Sequence, residues 1–219
     1  MIAFVAALLF TPTVASSAPS AVAPLPFAFL TDNREDPARL QTLWSFGQCA
    51  AQKDTARMFT FLKNGQFAKP NDPTVRLLIA ANDRCVRSGE TLTFNQVYFA
   101  GAAAETIYRL SGFRFAERPI SKADVQSLSS LKSKSVLMGA CVAALQPRQV
   151  DALFATPIAS AAEARTILSM REAVQTCLTG VKRTPEMIRA VIAAGAFPAV
   201  SSMIAESNLK NTISRPVTQ

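Results

Sequence analysis

The sequence predicts an all-α protein made of two tandem three-helix units, each containing a helical hairpin closed by one disulfide. Three observations support this fold class. Apolar residues recur with helical spacing, and no stretch shows sustained β alternation. Two pairs of cysteines have equal separations, and the motif apolar-Gly-x-Cys occurs twice, as "FGQCAA" from residue 46 and "MGACVA" from residue 138. The two motifs lie 92 positions apart, which indicates an internal duplication.

The four cysteines favour a particular disulfide pairing. Four cysteines allow three pairings, but Cys85 follows Cys49 by 36 positions and Cys177 follows Cys141 by the same distance. Two helical arms of similar length would bring each pair together at the open end of a hairpin, within the reach of a disulfide. A Cys₄ zinc site is the alternative, but such sites usually contain closely spaced pairs such as C-x₂-C, which the sequence lacks.

The helices that end in the second cysteine of each pair give a further test of the duplication. Their apolar stripes coincide when shifted by 92 positions: Val75, Leu78 and Val86 in the first, Ile167, Met170 and Leu178 in the second. Asn82 stands where the second stripe has Val174. A glycine follows each stripe, Gly89 and Gly180, and predicts the end of the helix.

Residues 1–21 resemble a secretory signal peptide and its cleavage region. The apolar run at 2–10 is too short to span a bilayer, and small residues follow it, including Thr13 and Ala15 at a suitable cleavage site. No basic residue precedes the run, so the signal is atypical or the true start lies upstream; a buried N-terminal helix is the alternative. We expect a periplasmic or secreted protein whose mature chain begins with a flexible segment, 22–35.

Helix-start signals divide the first unit, residues 36–110, into its elements. An Asp-Pro pair predicts each of two helix starts, because proline is favoured in the first turn after an N-cap. Asp54 resembles the N-cap of another helix, so that the first arm is two short helices. The capping box "TFNQ" at 93–96 predicts the start of the third helix. The Asp-Pro pairs are Asp36-Pro37 and Asp72-Pro73.

The second unit, residues 136–204, shows corresponding signals. Pro147 lacks an N–H and should interrupt the first arm. The sequence "SAAE" at 160–163 is a capping box, and Thr184-Pro185 predicts the start of the third helix. Between the units, residues 111–135 are polar, Ser-rich and basic, and we expect a linker with one short helix. The tail, 205–219, is polar and expected to fray.

Two phrases of the sequence resemble a group of exported proteins. "CVRSGETLTFNQVYFAGAAAETIYR" and "CVAALQPRQVDALFAT" are similar to segments of uncharacterised exported proteins of alpha-proteobacteria with duplicated, cysteine-stapled helical units. The resemblance would extend over about residues 40 to 200. It implies export and duplication, and it implies no activity.

The residue content excludes several catalytic chemistries. The chain has no histidine, and it lacks the P-loop, G-x-G-x-x-G and G-x-S-x-G motifs. If all four cysteines are paired, no thiolate remains. A pair of carboxylates would be the remaining possibility, but we expect Glu105, Glu163 and Glu172 to lie on solvated helix faces. We therefore predict no catalytic, metal-binding or cofactor-binding residues, and no enzymatic activity.

The formal net charge of +8 is the feature that points to a partner. A cationic exported protein is attracted to anionic envelope material, and nucleic acid is not expected there. The basic residues form only pairs, too small for a lipid-binding patch of four to eight charges: Arg114 and Arg118, Lys132 and Lys134, Lys182 and Arg183. We predict a structural or protein-interaction module of the envelope without a transmembrane segment. The alternatives are a peripheral binder of anionic lipid or lipopolysaccharide, and a merely solvated basic surface.

Overall fold

The computed structural model describes residues 36–68, 72–86, 95–131, 133–180 and 184–204. These residues form ten α-helices and no strand. In chain order the helices are Pro37–Lys53 (α1), Thr55–Lys63 (α2), Pro73–Ala81 (α3), Gln96–Ser111 (α4), Lys122–Ser127 (α5), Lys134–Leu145 (α6), Pro147–Phe154 (α7), Ala161–Ser169 (α8), Arg171–Cys177 (α9) and Pro185–Val200 (α10). The predicted all-α class with two disulfide-stapled units is confirmed. The predicted signal peptide, the segment 22–35, Gly89 and the tail lie outside the described residues.

The third helices of the two units, α4 and α10, pack against each other at the centre. Helix α1 packs on α4 in the first unit, and α6 packs on α10 in the second. One main core therefore draws buried residues from both units, for example Phe61 and Phe99 from the first and Val142 and Phe197 from the second. A smaller cluster joins α1, α4 and α10 around Trp44.

The repeated Gly-x-Cys motif places a close helix contact beside each disulfide. A Cβ atom added to Gly47 would lie 2.7 Å from the Cβ of Ala102, on α4. A Cβ atom added to Gly139 would overlap the carbonyl oxygen of Val191 and lie 2.7 Å from the Cα of Gly195, on α10. Both glycines therefore let the first helix of a unit approach its third helix closely. The motif has the same structural role in the two units.

The first arm of each unit is interrupted at equivalent positions. Helix α1 ends before Asp54, which has φ −132° and ψ 56°, and α6 ends before Gln146, which has φ −134° and ψ 52°. The two residues lie 92 positions apart, so the break itself is duplicated. Pro147 begins α7 as predicted. Asp54 occupies the N-cap position of α2, but its side chain makes no capping hydrogen bond and pairs instead with Arg57, at 3.4 Å.

The predicted helix starts are confirmed at both Asp-Pro pairs, where Asp36 accepts a hydrogen bond from the amide of Ala38 and Asp72 from that of Thr74. The third helix of the first unit begins later than predicted. Its N-cap is Asn95, which accepts from the amide of Val97. Thr93, the predicted cap, lies outside the described residues.

The segment 111–135 is more than the polar linker that its composition predicts. Four of its apolar side chains are buried: Phe113, Phe115, Ile120 and Leu128. The carboxylate of Asp151, on α7, accepts hydrogen bonds from the amides of Phe115 and Ala116, at 3.0 and 2.9 Å. The segment therefore packs as part of the main core. The short helix that was expected within it is present as α5.

Both predicted disulfides are present. The Cα atoms of Cys49 and Cys85 lie 5.7 Å apart, those of Cys141 and Cys177 lie 5.8 Å apart, and no described cysteine is free. Each bond joins a first helix to the end of its hairpin. The open end of each hairpin is thereby closed covalently.

Replacing both cysteines of one disulfide by alanine should lower the free energy of unfolding by about 3 kcal/mol. Each disulfide closes a loop in the unfolded chain and so lowers the conformational entropy of the unfolded state. The two loops are equally long, because both pairs of cysteines are separated by 36 positions. Urea unfolding followed by circular dichroism would measure the loss for Cys49→Ala/Cys85→Ala and for Cys141→Ala/Cys177→Ala. Losses that differ by more than about 2 kcal/mol would show that loop closure does not govern the effect.

Candidate functional site

A buried ionic network centred on Arg189 joins α4, α8 and α10. Arg189 is 2 % exposed. Its Nε donates to Oε1 of Glu105 at 2.6 Å and its Nη2 to Oε2 of the same residue at 2.8 Å, so the pair is bidentate. Its Nη1 lies 3.3 Å from Oε1 of Glu163 and donates to the carbonyl of Thr156 at 3.1 Å. One guanidinium thus compensates two buried carboxylates.

Neighbouring helices fix the geometry of this network. The guanidinium of Arg189 lies over the ring of Trp44, on α1, at 5.4 Å from its centre. Glu163 lies in the first turn of α8, where the Ser160 hydroxyl accepts a hydrogen bond from its amide. Its carboxylate turns inward and accepts from the amide of Ala159, at 2.7 Å. The predicted capping box is therefore only half formed, because Glu163 bonds to Ala159 and Arg189.

The prediction that Glu105 and Glu163 are solvated is wrong. Glu105 is 2 % exposed and Glu163 is fully buried, whereas Glu172 is exposed as expected. A signal was present in the sequence: Glu105 and Arg189 are charged residues within helices that are otherwise rich in alanine and other apolar residues. Opposite charges on two such helices predict a buried ion pair, because neither could be buried alone.

The network shifts the ionisation of its members. Burial raises the pKa of Glu163 to about 7, although Arg189 opposes the shift; the negative charge of Glu186 adds to it. Burial also raises the pKa of Glu105, against the hydrogen bond and charge of Arg189. For Arg189, burial acts to lower the pKa, but the hydrogen bonds and charges of Glu105 and Glu163 outweigh it and raise the pKa. The carboxylates therefore hold protons more tightly than in water.

The raised pKa of Glu163 predicts a stability that falls as pH rises from about 4.5 to 7. In that window the folded chain keeps a proton that the unfolded chain has lost, so ionisation favours unfolding. The full effect is at most about 3 kcal/mol. Glu105 contributes in the same direction. Urea unfolding at several pH values should show the decline in the wild type and a much smaller one in Glu163→Gln.

Glu172→Gln is the matched control, because Glu172 is exposed on α9 and should leave the profile unchanged. If Glu163→Gln retains the full decline between pH 4.5 and 7, Glu163 does not cause it.

A cleft of about 490 Å³ opens above the network. One wall comes from the outer face of α1, the floor from charged side chains of α4 and α10, and the other wall from the segment after α7. Its lining residues are Gln41, Trp44, Ser45, Gln48, Glu105, Arg109, Phe154, Ala155, Thr156, Pro157, Ile158 and Arg189. The side chains of Gln41, Gln48 and Arg109 make no hydrogen bond or ion pair with another residue in the described part of the chain.

The described members of the basic pairs singled out in the sequence do not line this cleft. Arg114, Arg118 and Lys134 are exposed, and Arg118 donates to the carbonyl of Met203 at 3.2 Å. Lys132 and the pair at 182–183 lie outside the described residues. Across the described ranges, no helix is long and apolar enough to cross a membrane, and no group of three metal-ligating side chains occurs.

Compared with protein-family models, with curated proteins and with solved structures, the chain has no match. The resemblance to exported alpha-proteobacterial proteins therefore stays a prediction.

Proposed function

We propose that the chain is an exported interaction module of the cell envelope that binds a partner through the cleft and catalyses no reaction. The observation that supports this best is a contrast within the cleft. The side chains of Gln41, Gln48 and Arg109 form no hydrogen bond or ion pair with the described residues. Both oxygens of Glu105, by contrast, accept hydrogen bonds from Arg189. The free side chains are suited to binding, whereas a carboxylate engaged on both oxygens is poorly suited to proton transfer.

Export is supported by the cysteine chemistry and by the N-terminal pattern. Two disulfides are typical of proteins that fold outside the reducing cytoplasm. The sequence at 1–21 predicts the signal peptide that such a route requires. The route itself is part of the proposal.

Binding to anionic lipid or lipopolysaccharide is the second candidate, favoured by the net charge of +8. The basic residues singled out above form only pairs in the sequence, fewer than the four to eight adjacent charges of a lipid-binding patch. This pattern favours a localised cleft over a broad cationic patch as the binding surface.

Site-specific photo-cross-linking would test the proposal. A photoreactive amino acid at Ser45, which is exposed at the cleft, should give discrete adducts with envelope material. The same amino acid at Ser129, which is exposed outside the cleft, is the control and should give none. Equal adducts from both positions, or none from either, would contradict a partner at the cleft. Salt-sensitive sedimentation with phosphatidylglycerol vesicles would favour the lipid candidate instead.

A further inference from the structure

We infer that the cleft recognises a carboxylate group attached to an apolar body, with Arg109 as the charged contact; this inference rests on the cleft being the binding surface proposed above. The ionisable groups that line the cleft are Glu105, Arg109 and Arg189. The guanidinium of Arg189 is already engaged by Glu105 and, beneath the lining, by Glu163. Arg109 is therefore the lining cation that forms no ion pair in the described part of the chain.

Arg109 is placed to contact an anion that enters the cleft. It lies four positions after Glu105 on α4, hence on the same helix face, and it is exposed whereas Glu105 is buried. A guanidinium presents a planar set of donors that matches the two oxygens of a carboxylate. Its positive charge also lowers the pKa of Glu105, which shows that the two groups interact electrostatically.

The opposite wall supplies neutral hydrogen-bonding groups. Gln41 and Gln48 lie seven positions apart on α1 and therefore share one face of that helix, with Ser45 between them. Their amides can donate to a ligand carboxylate or accept from an adjacent N–H group. These groups orient a ligand but add no charge, so the recognition of charge depends on Arg109.

The remaining lining and the charge balance limit the ligand class. Phe154, Pro157 and Ile158 offer apolar surface on the side after α7. A volume of about 490 Å³ falls within the range of small-molecule sites. A phosphate dianion would bring a second negative charge towards Glu105 with no free cation in the lining to meet it. A single carboxylate fits the single free guanidinium better.

The single tryptophan of the chain reports on this cleft, because Trp44 lines it. Its fluorescence would be followed while the purified full chain is titrated with 3-phenylpropionate or with 3-phenylpropionamide, which differ only in the carboxylate. We expect the acid to bind about tenfold more tightly than the amide. The preference should weaken as salt is added.

Arg109→Gln should abolish the preference for the acid. Arg76→Gln should retain it, because Arg76 is exposed on α3 and does not line the cleft. A second pair of probes, Ala-Ala-Phe with a free or an amidated C-terminus, distinguishes the source of the carboxylate. Tighter binding of the free peptide than of 3-phenylpropionate indicates a polypeptide end, and similar binding indicates a free organic acid.

Two results would overturn the inference. Equal affinity for acid and amide would show that the cleft does not select a carboxylate, while position-dependent cross-linking at Ser45 could still support the proposed function. Absence of binding by every probe at 10-millimolar concentration, together with absence of those cross-links, would overturn the inference and the proposed function together.

Discussion

Replacing Arg189 by methionine should lower the free energy of unfolding by about 3–5 kcal/mol at pH 8. Removal of the guanidinium leaves Glu105 and Glu163 buried without a counter-charge, and an uncompensated buried charge is among the costliest defects in a protein. The loss should shrink at pH 5, because protonation then neutralises carboxylates whose pKa is raised. Chemical unfolding at the two pH values would measure both effects.

Two further variants separate charge from packing. The triple variant Arg189→Met/Glu105→Met/Glu163→Met should recover most of the stability, because apolar residues of similar size often replace a buried ion cluster without loss. Arg165→Met, at an exposed position of α8, should change stability by less than about 0.5 kcal/mol. If the triple variant is as unstable as the single one, lost packing around Trp44, and not uncompensated charge, explains the defect.

The elements that the sequence predicts correctly are those set by local chemistry. Proline after aspartate begins α1 and α3 where expected, and Pro147 divides the first arm of the second unit. The disulfide pairing was also predictable, because two equal cysteine separations in a duplicated chain favour equivalent bonds in the two units. Each of these predictions depends on a short stretch or on a repeated spacing.

The ion network was not predicted because it depends on tertiary structure. Glu105 and Arg189 are 84 positions apart, and only the packing of α4 against α10 brings them together. The burial of Phe113 and Phe115 was missed for a related reason. Their surroundings in the sequence are polar and basic, and the partner that holds them, Asp151, lies on α7. Composition describes the segment, but contacts across the chain determine its burial.

Replacing Gly139 by valine should lower the free energy of unfolding by more than about 3 kcal/mol, and replacing it by alanine by about 2 kcal/mol. The added Cβ would overlap the backbone of α10 at Val191 and Gly195, so α6 and α10 would have to separate. Alanine regains up to about 1 kcal/mol of helix propensity, which makes its net loss smaller. Urea unfolding of both variants would measure the losses.

In the first unit, the loss of stability caused by Gly47→Ala should be partly reversible by a second substitution on α4. At Gly47 the nearest atom to an added Cβ is the side-chain Cβ of Ala102, whereas at Gly139 the nearest atoms belong to the backbone. Ala102→Gly should therefore restore part of the stability that Gly47→Ala removes, although the Phe99 carbonyl at 3.0 Å keeps the rescue incomplete. Because backbone atoms cannot be deleted, no single substitution on α10 should rescue Gly139→Ala. Rescue at Gly139 by Val191→Ala would show that side chains, and not the backbone, set the distance between α6 and α10.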